Sequence, residues 1–175
     1  ASSLEVAVRA LRKAGVFVVV SAGNSGLSGC GSVDSPLAIY DDVYTVGAVD
    51  SSGNRADFSS LGPVVVDGSR RIKPDILAPG EGIYSSYPGS GYNTLAGTSM
   101  AGPHVVGVVA LMWSANPRLI GDVGLTERIL SQTATAYTGL KVRCDDEQDD
   151  PPSNVSGYGI VDAYAAVRAA LALEP

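Results

Sequence analysis

Gly97-Thr98-Ser99-Met100-Ala101-Gly102-Pro103-His104 is the stretch from which the rest of this chain is best read. It places a serine among small residues where an extended run, residues 92–96, gives way to an apolar stretch that stops at Pro117. Gly97 lets another backbone come close, and Thr98 can cap a helix. Ser99 then falls in the first turn, where unpaired N–H groups and the positive end of the helix dipole favour an anion. Pro103 has no N–H to give to the Ser99 carbonyl, so this helix is expected to carry a local defect beside the serine. An isolated Gly-Thr-Ser is most often a plain capping sequence. The full octet instead suits a serine held out as a nucleophile.

Outward from the octet, the pattern predicts a helix over about 99–116, with Val105, Val108, Val109 and Met112 as a core-facing stripe. Upstream, residues 16–21 and 43–49 are rich in β-branched side chains and read as buried parallel strands, joined by a long loop over 23–42. The Val64-Val65-Val66 run, the Asp67-Gly68 turn and Arg71-Ile72 read as a surface hairpin. Residues 76–78 form a short strand, and residues 83–87 and 92–96 flank a Pro88-Gly89-Ser90-Gly91 turn as a second hairpin. Ser3 can cap a first helix with Leu4, Val8 and Leu11 on one face and Gly15 at its end. Thr126 can cap a helix to about residue 134, and Asp162 a last one to about residue 173. There is no internal repeat and no linker, so residues 1–175 are read as one α/β unit: three layers, α/β/α, around a mostly parallel sheet.

The chain has 175 residues, 45% of them hydrophobic, and a formal net charge of -6. Five of its 18 acidic residues are clustered as Asp145, Asp146, Glu147, Asp149 and Asp150, and the remaining acids nearly balance the 12 bases. No basic face for nucleic acid is expected. The acidic cluster precedes Pro151-Pro152 and reads as a solvated loop. A calcium site is the sharper alternative, since hard cations take several carboxylate oxygens, but the spacing matches no calcium loop. No cofactor is required by the reading. The longest apolar run, 105–113, is too short to span a bilayer, so no membrane partner is expected. Two cysteines, Cys30 and Cys144, allow one disulfide, with free thiols or pairing to a cysteine elsewhere as the alternatives.

The octet closely resembles the nucleophile motif of the subtilisin-like serine peptidases, with Gly102 where many members have a second alanine. Four further segments resemble that family in its own order. Val18-Val19-Val20-Ser21-Ala22-Gly23-Asn24 is similar to the strand and loop carrying the oxyanion asparagine. Val46-Gly47-Ala48-Val49-Asp50, followed by Asp57-Phe58-Ser59-Ser60, resembles the next strand and its exit. Lys73-Pro74-Asp75-Ile76-Leu77-Ala78-Pro79-Gly80 and Gly157-Tyr158-Gly159-Ile160-Val161-Asp162-Ala163 complete the match, which is nearest to secreted bacterial subtilases of the bacillopeptidase F type.

The resemblance implies a secreted serine endopeptidase acting on proteins or peptides through an acyl-enzyme on Ser99. Asn24 and the Ser99 N–H would form the oxyanion hole. Ser21, Ala22 and Gly23 would wall the specificity pocket, with Gly97 and Thr98 beside the cleft. By alignment through Pro36, Asp34 falls near the pocket floor, where a carboxylate would favour lysine or arginine before the scissile bond. Its rival role is a loop cap before Ser35-Pro36. An extracellular setting also suits a disulfide, and the superfamily often binds structural calcium.

Such chemistry needs an imidazole base and a carboxylate that orients it. The single histidine, His104, lies five residues after Ser99 on the same predicted helix, roughly 7.5 Å along the axis and about 140° around it, which removes it as the base. It is expected to be a buried, hydrogen-bonded packing residue. In the family the order is Asp, His, Ser, so both partners are expected upstream of Ser99. The chain is therefore expected to be the C-terminal portion of a catalytic domain, inactive alone, partnered by the N-terminal half, and prone to self-associate through apolar surface. The rival reading is a non-catalytic subtilase-like scaffold that binds peptides. A nucleophile-elbow hydrolase is disfavoured because Ala101 stands where that motif needs glycine.

Overall fold

The computed structural model describes residues 3–89, 91–139, 142–144 and 151–173. Helix α1 (Ser3–Lys13) leads into strand β1 (Val19–Ser21), followed by β2 (Tyr44–Val49) and β3 (Ile76–Pro79). A hairpin of β4 (Ile83–Tyr87) and β5 (Gly91–Leu95) precedes the long helix α2 (Thr98–Ala115), and α3 (Val123–Thr133) and α4 (Ala163–Leu171) follow. Strands β1, β2 and β3 form a parallel sheet in that order, with Val20 opposite Thr45 and Val46 opposite Ile76. Residues 159–161 lie along the other edge of β3, through bonds from Leu77 N–H to Gly159 O and from Val161 N–H to Leu77 O.

Alternation along the strands divides the interior into two cores. Val46, Ala48, Ile76 and Ala78 meet Ala101, Val105, Val109 and Met112 of α2, with Ala166 and Ala170 of α4 behind them. Val18 and Val20 turn the other way, onto Val8 of α1 and Val33, Ala38, Ile39 and Val43 of the loop before β2. Every residue of β2 is buried, as a central parallel strand covered on both faces must be. The three-layer α/β/α architecture with a parallel sheet thus stands as expected.

Several local expectations need correction. Residues 64–72 form no strand ladder: Val64 N–H bonds to Arg71 O and Arg70 N–H to Val64 O around a tight turn, and buried Val64 belongs to the second core. Thr126 does not cap α3. Asp122 does, accepting from Leu125 N–H, while the Thr126 hydroxyl donates to Asp122 O and accepts from Trp113 Nε1. The acidic side chain at the cap position one turn earlier reaches the free N–H groups, whereas Thr126 already lies inside the helix. Asp162 caps α4 as expected, through Ala165 N–H. The Ser3 side chain, expected as a cap of α1, lies outside what is described.

Cys30 and Cys144 are joined, with Cα atoms 5.3 Å apart. Cys144 is buried with Leu61 and Val155.

Candidate active site

The site is assembled where β1 ends and α2 begins. After Ser21 the chain turns through Gly23, and Asn24 reaches the N-terminus of α2. There Asn24 Oδ1 accepts from both Thr98 N–H and Thr98 Oγ1–H, each at 3.0 Å. The Thr98 hydroxyl in turn accepts from Gly23 N–H at 3.2 Å, and Ser21 Oγ donates to Thr98 O at 3.1 Å. Thr98 therefore does not cap its own helix, as the sequence suggested. Gly97 occupies the cap position without a side-chain bond, Thr98 is already the first helical residue, and the cap comes from Asn24 across the loop.

This cap leaves one donor over. Of the first three N–H groups of α2, that of Thr98 goes to Asn24 and that of Met100 to Gly97 O, while that of Ser99 has no acceptor among the described residues. With Oδ1 committed to Thr98, the Asn24 amide nitrogen is left on the Gly97 side. A methyl group placed on Gly97 would lie 3.4 Å from it, an ordinary contact, so it is the backbone at φ 152 that calls for glycine here. Ser99 and Asn24 are exposed, whereas Gly97 and Thr98 are buried beneath them. An unpaired helical N–H and an exposed serine thus lie in the helix turn that an exposed primary amide caps.

Ser99 also lies at one end of a groove of about 740 Å³ between the hairpin and α2, lined by Ile83, Leu95, Met100, Val108 and Leu111 among others. His104 stands on this groove, exposed, with Nδ1–H donating to Met100 O at 2.8 Å. The expectation of a buried histidine is therefore wrong for this chain: no described element covers that face of α2. The hydrogen bond expected for it is present.

Among the other candidate residues, Ala22 is buried at 1% exposure and packs into the second core, and Ser21 and Gly23 are half-buried. Asp34 is exposed, and its carboxylate makes no hydrogen bond or ion pair with any described residue. The loop-cap role considered for it therefore has no bond behind it. The acidic cluster from Asp145 to Asp150, with its calcium alternative, lies outside the described residues. Among the described residues, no group of three or more His, Cys, Asp or Glu could hold a metal, and no helix is long and apolar enough to cross a membrane.

Sequence reasoning missed two features of the site. Asn24 acts as the cap of α2, and Ser60 bonds to both neighbours of Asn24. Neither pairing has a periodic signal, since both join segments distant in the chain through single hydrogen bonds.

Known proteins resemble this chain over most of its length. The subtilase family model matches residues 1–159. The chain is 43% identical over 134 residues to subtilisin DY of Bacillus licheniformis, covering 77% of this chain and 45% of that protein. It is also 43% identical over 166 residues to bacillopeptidase F of Bacillus subtilis, covering 93% of this chain and 11% of the other. Among solved structures, the patellamide maturation protease PatA superposes with a TM-score of 0.73 at 32% identity, covering 97% of this chain and 57% of that one. The prenylagaramide maturation protease PagA gives 0.73 at 29% identity, covering 94% and 54%. The chain thus spans less than two thirds of the length of each of these proteins.

Proposed function

Since the chain belongs to the subtilase family, we propose that it carries the nucleophile and oxyanion hole of a secreted serine endopeptidase. The observation that carries this reading is the Ser99 N–H, left without an acceptor among the described residues in the helix turn that Asn24 caps, with Ser99 and Asn24 both exposed. Ser99 Oγ attacks the carbonyl carbon of a peptide substrate while a histidine takes its proton. The resulting oxyanion accepts hydrogen bonds from Ser99 N–H and Asn24 Nδ2. The histidine then protonates the leaving amine, and water hydrolyses the acyl-enzyme by the reverse sequence. Both donors are fixed before the charge appears, which is what makes such a site effective.

His104 lies five residues after Ser99 along α2 and donates to Met100 O, so in this reading the base and its orienting aspartate come from polypeptide outside these 175 residues. The apolar groove beside Ser99 is the natural seat for that polypeptide. Alone, the chain has little or no peptidase activity. The chemistry calls on no cofactor, and the Cys30–Cys144 bond supports an extracellular setting. The uncommitted Asp34 carboxylate supports a preference for lysine or arginine before the scissile bond.

A fluorophosphonate probe tests the assignment in the full-length polypeptide. Covalent labelling is expected at Ser99, with both labelling and cleavage of a denatured protein substrate abolished in Ser99→Ala. Absence of both in the unaltered protein would overturn the assignment in favour of a peptide-binding scaffold.

A further inference from the structure

We propose that Ser60 is a positioning residue for the oxyanion hole, acting through Asn24. Ser60 is 0% exposed and so lies out of direct reach of a substrate. Its backbone N–H and its hydroxyl oxygen are nevertheless both bonded to the residues flanking Asn24. Its backbone N–H donates to Gly23 O at 3.0 Å, and its hydroxyl accepts from Ser25 N–H at 3.0 Å. The turn that presents Asn24 is thus bracketed from below on both sides. The bracket is close-fitting: a Cβ built on Gly23, which sits at φ 105, would lie 2.9 Å from Ser60 Oγ.

Asn24 therefore has three holds. Ser60 fixes the backbone before and after it, and Thr98 fixes its side-chain oxygen. Loss of the Ser60 hydroxyl frees Ser25 N–H and lets the turn rock about Gly23. Such motion is felt first at the Asn24 carboxamide, whose worth to an oxyanion depends on holding one geometry. Adjacent Ser59 provides a control. It is equally buried, but its hydroxyl accepts from Ala48 N–H, at the sheet rather than at the turn.

This inference rests on the peptidase reading of Ser99 and Asn24, and a mutant cycle in the full-length polypeptide tests it. Asn24→Ala is expected to lower kcat by about 10²–10³-fold, a magnitude taken from this same family. Ser60→Ala is expected to lower kcat about tenfold with KM within about twofold. The double variant should match Asn24→Ala alone, because Ser60 has nothing left to position. Ser59→Ala should leave kcat unchanged, and Ser60→Cys, which keeps a weak acceptor, should fall between wild type and Ser60→Ala. A Ser60→Ala loss that multiplies with that of Asn24→Ala, or an unchanged kcat, would overturn the inference.

A second readout needs no turnover. Thr98 N–H is protected from hydrogen exchange by Asn24 Oδ1, so Ser60→Ala, and not Ser59→Ala, should speed exchange at Thr98. Unchanged protection at Thr98 sinks the coupling, even for a protein that cleaves nothing. If exchange at Thr98 does rise but the unaltered protein neither cleaves nor takes the probe, the peptidase reading fails and the Ser60–Asn24 coupling stands.

Discussion

At the scale of single residues, the site is a matter of which hydrogen bonds are already spent. In the proposed oxyanion hole, Asn24 would serve because its oxygen is occupied, and Ser99 N–H because no described residue occupies it. Asp34 is the opposite case, a carboxylate with no described partner on the same loop. Asp34→Asn removes a charge while keeping shape. In the full-length polypeptide it is expected to lower kcat/KM for substrates with lysine or arginine before the cleaved bond by about tenfold, leaving leucine or phenylalanine substrates nearly unchanged. Cleavage profiling of both proteins checks this, and equal profiles would remove Asp34 from the pocket. Ser99 and Asn24 were legible in the sequence because each sits at a change of element, a strand giving way to a loop or to a helix, within a resembling motif. The cap of α2 was not. Thr98 was a good candidate by residue type, but capping is decided by which oxygen reaches the N–H, and Asn24 arrives from a segment the chain order does not place nearby.

At the scale of elements, the sheet is anchored at its far end by an ion pair between a buried lysine and a half-buried aspartate. Lys73, whose side chain is 3% exposed, donates to Val43 O at 3.0 Å and to Asp75 Oδ2 at 2.6 Å, and Asp75 also accepts from Thr45 N–H. These bonds stitch the entry of β3 to that of β2. Burial pushes the Asp75 carboxyl above its ordinary value, while the Lys73 ammonium pulls it back. Lys73→Met removes that restraint and is expected to cost about 2 kcal/mol near pH 8, because it leaves a half-buried carboxylate without its cation. The sign with pH follows from the raised value. A carboxyl whose pKa is higher folded than unfolded contributes stability at low pH and loses it as pH rises through the folded value. The penalty should therefore shrink toward pH 5, as Asp75 takes up a proton. Urea denaturation of wild type and variant at both values measures it, and a pH-independent penalty would contradict the account. The strands themselves were legible from β-branched runs. The turn at 64–72 was over-read as a hairpin because Val64, Val65 and Val66 have strand composition, yet only Val64 is buried, and without a partnered ladder that composition builds no sheet.

At the scale of the whole molecule, the two cores are complete around β2 and incomplete around α2. That helix is apolar on nearly every side, as is usual for one buried all round, yet Val106 and Leu111 are 51% and 56% exposed. Stacked Tyr84 and Tyr92 stand exposed on the hairpin across the groove. Surface of this kind is normally covered. The 175-residue chain expressed alone is therefore expected to self-associate, and static light scattering should give a mass above the 17.8 kDa of one chain. A stable monomer at tens of micromolar would argue that the face tolerates water. Composition had revealed the apolar content of α2, but which side would lie open depends on neighbours that a linear pattern does not contain.

The Cys30–Cys144 bridge closes a ring with a sequence separation of 114 that includes the hairpin and all of α2. Under the proposed peptidase activity each molecule would be surrounded by copies able to cut it, and the link between β4 and β5 lies inside this ring. A single cut inside the ring would not part the molecule: both pieces would stay tethered through sulfur, with Ser99 still covalently joined to the strand that delivers Asn24. Nicked material should run as one band on a gel without reductant and as two with it, so damage there need not end a molecule's working life.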